Sequence, residues 1–469
     1  MTRSRPRPHV DPPLVVDRGL GHPLSEQLAG QLRTALRQGR LRAGERLASS
    51  RDLAVTLGVS RTVVTEAYQQ LFAEGWIRGR HGSGTYVADV APVPPDRVTA
   101  DGAEVSHGRG GWVNLLPGYP WTAALQGSAF GPAWRRAWRL AAQADPEPDP
   151  NPRGSPALRA ALVDYLRRSR GVGCHAGQVL VTHGATHGLR LLVEALLRRG
   201  DRVGVEEPGY TRARLALSAS GVDVVPCPVD ANGLIVDGLP GELRLVYTTP
   251  AHQFPLGGRL SVPRRQALLA WARRHGALVV EDDYDSEFRY DVAPLPALHG
   301  LDPGVVVYLG TTAKTLTPDL RVGWLVADED IVARVAQHRN DVVDRNPTVP
   351  QEAVRFLIER GDLDRHVRRM RHEYARRRAA VVEAFAGLEP PAALRGDTAG
   401  LHVVVELPAE LATEVAGAAG ERGVRVGTLD RSYAGPPTRS GLVLGYGAAS
   451  LADLRWGCAL LTRLLVADG

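Results

Sequence analysis

The chain is 469 residues long and carries 57 lysines plus arginines against 51 acids, a formal net charge of +6. That length is too great for one ordinary core and predicts two or three domains, and the basic balance allows a nucleic-acid partner without establishing one. Cys174, Cys227 and Cys458 have neither metal-site spacing nor the density of a disulfide scaffold, no apolar stretch follows the basic N-terminus, and no run of about 18 apolar residues occurs, so a cytoplasmic chain without signal peptide, membrane span or metal centre is expected.

Residues 1 to 13 read as a loose arm, and a first domain is predicted over 14–88. Leu24, Leu28, Leu32 and Leu36 recur every four residues along one helix face. A second helix is predicted from Ser50, with Ser49 as its N-cap, Asp52 three places on and Gly58 as its stop. Ser60 then caps a third helix with Val63, Ala67 and Leu71 on its inward stripe. A short helix, a tight turn and a second short helix make the helix-turn-helix arrangement, whose exposed leading end here carries Arg61, Thr62 and Thr65. An arginine at that end can read guanine O6 and N7 together, whereas Arg51, starting the preceding helix, suits a phosphate. Arg78 and Arg80 belong to a glycine-rich hairpin able to turn tightly beside a sugar-phosphate backbone. The domain holds ten arginines and six acids, a modest excess that a solvated helical bundle would also show.

Proline and glycine dominate 89–111, which reads as a linker. From Val179 onward strand and helix patterns alternate. Short strands at 202–205, 222–225, 243–248, 277–280, 305–309 and 322–326 are separated by lengths that hold crossover helices. A mainly parallel, two-sided α/β sheet is therefore predicted within 112–349. Beyond residue 350, long arginine-rich helices are followed by apolar runs at 402–406 and 442–446, predicting a smaller α+β domain over 350–469.

Lys314 is the sole lysine of the chain. It lies just past the apolar run 305–309, and the run before that one ends in Glu281-Asp282-Asp283-Tyr284-Asp285. A loop lysine can simply be solvated. Acids and a tyrosine at one strand end, with a lysine at the next, suit instead a cationic cofactor held between Asp282 and a Schiff-base amine.

The series Leu47-Ala-Ser-Ser-Arg51, Leu57-Gly-Val-Ser-Arg61, Glu74-Gly75 and Gly82-Ser-Gly-Thr-Tyr-Val87 resembles the winged helix-turn-helix of the GntR family of bacterial repressors and activators. Ala48 stands where that family usually has proline. The succession Gly184-Ala-Thr-His-Gly188, Glu207-Pro-Gly-Tyr210, Thr249-Pro-Ala-His-Gln-Phe-Pro255, Glu281 to Phe288 and Arg321-Val-Gly323 resembles fold-type I proteins that use pyridoxal 5'-phosphate (PLP). Together they resemble the MocR branch of GntR regulators over roughly residues 14 to 450.

The resemblance implies a winged helix-turn-helix followed by a fold-type I transferase fold, with a large α/β and a small α+β domain. It makes Lys314 the Schiff-base lysine, Asp282 the carboxylate under the pyridine nitrogen and Tyr284 the phenol near the ring oxygen. Gly184, Ala185, Thr186, Thr311 and Arg321 become the phosphate cup, and Tyr210 the cover of the ring face. Arg212 is implied as a contact for a ligand carboxylate. Arg439 is a candidate for a second such contact, with a solvated loop arginine as the alternative. The partner of Tyr284 at the ring oxygen stays open, because 249–255 lacks the asparagine-proline pair of ordinary aminotransferases. The implied function is a PLP-dependent transcriptional regulator that binds double-stranded operator DNA and senses PLP or an amino compound as a head-to-tail homodimer. An aminotransferase with an accessory DNA-binding module is the alternative.

Overall fold

The computed structural model describes residues 14, 16–17, 23–37, 40–74, 76–80, 84–88, 112–145, 148–291, 296–390 and 392–467. The expected arm, the expected linker and the hairpin tip at 81–83 lie outside the described residues. The chain divides into two compact units, Met1–Arg109 and Gly110–Gly469.

In the first unit, α1 (Leu24–Arg37), α2 (Ser50–Leu57) and α3 (Arg61–Ala73) share one core that includes Leu28, Leu32, Leu36, Leu53 and Leu71. Each such leucine contributes roughly 1.5–3 kcal/mol by leaving water. Ser49 accepts the Asp52 N–H and starts α2, and Gly58, at φ 62°, ends it in the left-handed region that favours glycine. Ser60 caps α3 through the Val63 N–H. The buried stripe of α3 is Val64, Ala67, Tyr68 and Leu71, with Val63 half-buried beside it. Residues at strict four-residue spacing drift across a helix surface, whereas 64, 67, 68 and 71 keep its 3.6-residue period. The wing is β1 (Ile77–Arg80) paired antiparallel with β2 (Gly84–Val87). The 44–47 backbone joins β2 through hydrogen bonds from Leu47 to Thr85 and from Val87 to Glu45.

In the second unit, β3 (Val113–Leu115), α4 (Gly131–Ala141) and α5 (Pro156–Arg170) precede an eight-stranded sheet. Its strands are β4 (Val179–Thr182), β5 (Arg202–Glu207), β6 (Asp223–Asp230), β7 (Gly233–Leu234), β8 (Leu245–Thr248), β9 (Leu278–Asp283), β10 (Val306–Thr311) and β11 (Gly323–Val326), in the order β4-β11-β10-β9-β8-β5-β6-β7. Between them lie α6 (Ala185–Leu196), α7 (Thr211–Ala219) and α8 (Val262–His275), with α9 (Glu329–Asp341) after β11. Neighbouring strand residues enter different cores: Leu180 packs with α6, α7 and α9, and Val181 with α5. Burial on both faces is why these strands read as unbroken apolar runs. β11 departs from the parallel prediction, running antiparallel to both β10 and β4. Residues 312–322 supply no crossover helix, so the chain can only fold back.

The rest comprises α10 (Thr348–Glu359), α11 (Asp362–Ala384), β12 (Ala393–Arg395), β13 (His402–Glu406), α12 (Ala409–Glu421), β14 (Val424–Thr428), β15 (Gly441–Gly445) and α13 (Leu451–Ala467). A five-stranded sheet, β12-β13-β15-β14-β3, organises it. Val113 to Leu115 run parallel to Val424 to Val426, so the first strand of the expected large domain belongs to the small sheet. No helix among the described residues is long and apolar enough to cross a membrane.

Candidate cofactor site and nucleic-acid interface

β9 ends in three consecutive acids, and the pleat sends alternate ones to opposite faces. Glu281 accepts the N–H groups of Leu298 and His299, and Asp283 accepts Tyr308 at 2.7 Å and buried Arg170 at 2.5 Å. Asp282 instead lines a cavity of about 830 Å³ at the C-terminal ends of the strands. Its Oδ2 accepts the Tyr247 hydroxyl at 2.5 Å, and its Oδ1 is buried without a partner among the described residues. Burial pushes this carboxyl up to about 7, with the Tyr247 hydrogen bond opposing. A cationic N–H against Oδ1 would satisfy the orphaned oxygen and favour the ionised form.

β10 delivers Thr311 to the same cavity, and the following turn delivers Lys314. Its Nζ donates to Gly118 O at 2.6 Å. Gly118 has φ 85°, and a Cβ there would stand 3.3 Å from Nζ, so glycine allows both the turn and the close approach of the amine. Burial holds the amine below the usual lysine range, with Asp285 and Asp282 opposing. The neutral, nucleophilic form is thereby favoured.

Gly184, at φ 122°, caps α6, whose first turn contains no acid. The N–H groups of a first turn have no intrahelical partner, and here that turn opens on the cavity beside Thr311 and Arg321. This is a phosphate cradle in form. Arg321 and Arg212 both line the cavity, and neither is ion-paired among the described residues. Tyr210 stands edge-on to Phe254 with ring centroids 5.7 Å apart, its phenol pushed up by burial and by Asp282. Tyr284 donates to His252 O at 3.0 Å.

Lys314, Asp282, Tyr284, Gly184, Ala185, Thr186, Tyr210, Thr311, Arg321 and Arg212 thus line one cavity. Arg439 is not among its lining residues. The β13–β15 register sets Glu406 opposite Gly441, and Arg439 Nε meets Glu406 Oε1 at 3.0 Å. Tyr247 and Gly118 carry no local sequence signal, because a strand tyrosine and a loop glycine are ordinary until the fold brings them to Asp282 and Lys314.

His183, His187 and Asp344 converge at the start of α6, close enough to suggest a cation site. Their hydrogen bonds argue otherwise. His187 Nδ1 accepts the His183 N–H at 3.0 Å. Asn346 gives its Oδ1 to Arg339 and turns its amide nitrogen to His183 Nδ1 at 3.2 Å. Both rings therefore carry their proton on Nε2, facing Asp344 at 3.3 and 3.2 Å, where a metal would need a bare lone pair. Burial pushes His187 down to about 3, and Arg339 already sits on Asp344. The cluster is a hydrogen-bonded brace at the start of α6.

In the first unit, Arg51, Ser60, Arg61, Thr62 and Arg78 are exposed. Arg61 Nε reaches Ser50 Oγ at 3.3 Å across the turn, and the Thr65 hydroxyl donates to Arg61 O at 2.9 Å, leaving only acceptor lone pairs for DNA. Arg80 ends β1, and its side chain lies outside the described residues. Arg61→Ala is expected to weaken specific operator binding by about 1–3 kcal/mol and to affect random duplex much less. Arg78→Ala should weaken both alike and reduce the salt dependence. Equal losses on both duplexes for Arg61→Ala, measured by anisotropy titration, would make Arg61 a phosphate contact.

Residues 24–87 match the family of bacterial regulatory proteins, gntR family, and residues 132–433 match aminotransferase class I and II. The chain is 36% identical to the HTH-type pyridoxine biosynthesis transcriptional regulator PdxR of Corynebacterium glutamicum, covering 92% of this chain and 93% of that one. It is 35% identical to the probable rhizopine catabolism regulatory protein MocR of Rhizobium meliloti, over 97% and 96% of the two chains. Among solved structures it is similar to the α-aminoadipate aminotransferase LysN of Thermus thermophilus, complexed with N-(5'-phosphopyridoxyl)-L-leucine, with TM-score 0.68, 26% identity and coverage of 76% and 92%. The cavity fits PLP in each part: an orphaned carboxylate oxygen for a pyridine N–H, a phosphate cradle without acids, and an amine of favoured neutral form. Because the two domain matches and the relatives spanning nearly the whole chain agree in order and extent, the chain belongs to the MocR-type branch of the gntR family, PLP-dependent regulators in which an aminotransferase-like domain follows a winged helix-turn-helix.

Proposed function

We infer that this regulator reads operator DNA with its winged domain and senses PLP, or an amino compound joined to it, in the cavity around Lys314. The observation that carries the reading is the buried Asp282 Oδ1, without a partner among the described residues, in the same cavity as the only lysine, on a chain that also holds a winged domain. When bound, PLP supplies an electrophilic carbon for amines and an electron-poor ring. Lys314 holds it through its amine, Asp282 keeps the ring nitrogen protonated, and the first turn of α6 with Thr186, Thr311 and Arg321 grips the phosphate. Tyr210 would cover the ring, Tyr284 would serve its oxygen, and Arg212 would receive a ligand carboxylate. The names of the relatives, one tied to pyridoxine biosynthesis and one to rhizopine catabolism, accord with regulation of small-molecule metabolism. The resemblance further supports a head-to-tail homodimer in the cytoplasm. The free Cys174, Cys227 and Cys458 accord with a reducing compartment.

A switch requires that the effector bind one arrangement of the winged domains better than another, typically by 1–3 kcal/mol. Operator affinity measured with and without PLP and candidate amines is therefore expected to change about 5- to 150-fold. With a keto-acid acceptor present, cofactor spectra should change without sustained product formation. Turnover at roughly 1 per second or faster, with operator affinity indifferent to cofactor and amine, would establish the enzyme reading instead.

A further inference from the structure

Behind Tyr284 lies a buried chain of polar groups outside the cavity lining. The His252 and Asp285 side chains are each 1% exposed and meet through Nδ1 and Oδ2 at 3.0 Å. The Tyr284 oxygen stands 3.0 Å from the same Nδ1 and donates its proton to His252 O, also at 3.0 Å. His252 Nε2 is buried with no partner among the described residues. An unpartnered lone pair is tolerated more readily than an unpartnered N–H, so the ring carries its proton on Nδ1, directed at Asp285 and shared with the phenol oxygen.

Space around the dyad is closed. Gly400 has φ 74°, and a Cβ there would lie 2.1 Å from His252 Cε1 and 2.7 Å from Asp285 Oδ2. The Tyr290 and Tyr446 hydroxyls both donate to Gly400 O, at 2.5 and 2.7 Å, fixing that wall. The other titratable ring against His252 is His402, with centroids 5.0 Å apart. Burial pushes His402 down to about 3, leaving it neutral, and its Nε2 donates to Pro255 O at 2.9 Å. Among the described residues Asp285 is thus the one carboxylate that touches His252, and the field of Lys314 reaches His402 from the cavity side.

We propose that His252 and Asp285 are positioning residues that orient the Tyr284 hydroxyl toward the ring oxygen of the cofactor. With Nδ1–H drawn to Asp285, His252 cannot accept from Tyr284 through its ring. The phenol proton then has only His252 O or the cavity as its acceptor, and swinging to the cofactor breaks a single hydrogen bond. Removing the carboxylate frees Nδ1 to become an acceptor, and the phenol turns its proton inward. This supplies the support for the ring oxygen that the missing asparagine-proline pair leaves open, and it rests on PLP occupying the cavity.

The test is the pH midpoint of the absorbance change of bound PLP in the full-length protein, with cofactor retention after dialysis measured separately. Tyr284→Phe and Asp285→Asn should each raise the midpoint by about one pH unit, since either change withdraws a donor from the anionic ring oxygen. His252→Gln should act in the same direction, and it serves as the second probe should Asp285→Asn fail to fold. The double variant Asp285→Asn with Tyr284→Phe should shift no further than Tyr284→Phe alone, because the dyad acts through the phenol. An unchanged midpoint in the dyad variants, or an additive shift in the double variant, would overturn the proposal. A wild-type chain that retains no PLP would overturn the cofactor assignment and the proposal with it.

Discussion

Lys314→Ala is expected to abolish covalent attachment of PLP completely, read as loss of borohydride-trapped cofactor. No other lysine exists to replace it. The phosphate cradle, Arg321 and Asp282 remain, so weak, dialysable binding should persist and the fold should survive. Among the described residues Lys314 Nζ has one hydrogen bond, to Gly118 O, and the loss of that bond costs about 0.5–1.5 kcal/mol. If reduced cofactor is still trapped in the variant, the amine of attachment is not Lys314. Operator affinity in this variant should no longer respond to amines, and it should respond to PLP only at higher concentration.

Asp282→Asn is expected to act in opposite directions on cofactor and on stability. A neutral amide exchanges a charged hydrogen bond, worth about 1.5–3 kcal/mol, for an ordinary one, worth about 0.5–1.5 kcal/mol, and the difference of about 1–1.5 kcal/mol predicts roughly a 5- to 13-fold loss of PLP affinity. For the cofactor-free protein the sign reverses. The Asp282 carboxyl rises from its ordinary 3.8 to about 7 on folding, because burial penalises its charge. Its neutral form favours the folded chain below pH 4, and that stability is lost as pH rises toward and through about 7. The linkage relation allows this one group on the order of 4 kcal/mol at alkaline pH. Glu281 and Glu287, both pushed up to about 7 by burial, slope the same way. Cofactor-free Asp282→Asn should therefore melt higher than wild type at pH 8 and nearly level with it at pH 4. A variant that melts lower at pH 8 would show that the buried carboxylate contributes stability rather than binding. On the proposed reading, the Oδ1 that lacks a partner among the described residues weakens the cofactor-free fold and strengthens binding of the ligand.

Local chemistry was readable from the chain by itself. Ser49 and Ser60 before their helices and Gly58 after one announce caps, because a cap is made by residues three or four apart. The cavity residues were readable for a related reason. Most stand at the C-terminal end of an apolar run or in the segment that follows it, and a parallel sheet gathers those ends at one edge whatever its strand order, whereas Arg321 leads into β11 and arrives there because that strand runs antiparallel. What depends on pairing was not readable. The antiparallel course of β11, the place of β3 in the small sheet and the Glu406 partner of Arg439 come from register between distant segments, on which apolar periodicity is silent. The run 281–283 looks like one acidic cluster, and only the pleat, with Arg170 and Tyr308 on one side and Tyr247 on the other, separates the charge that is already answered from the oxygen left open. Sequence determines which groups are present and what they cap, and tertiary structure decides which stay unpaired, because satisfaction of a buried polar group depends on neighbours that arrive from anywhere in the chain.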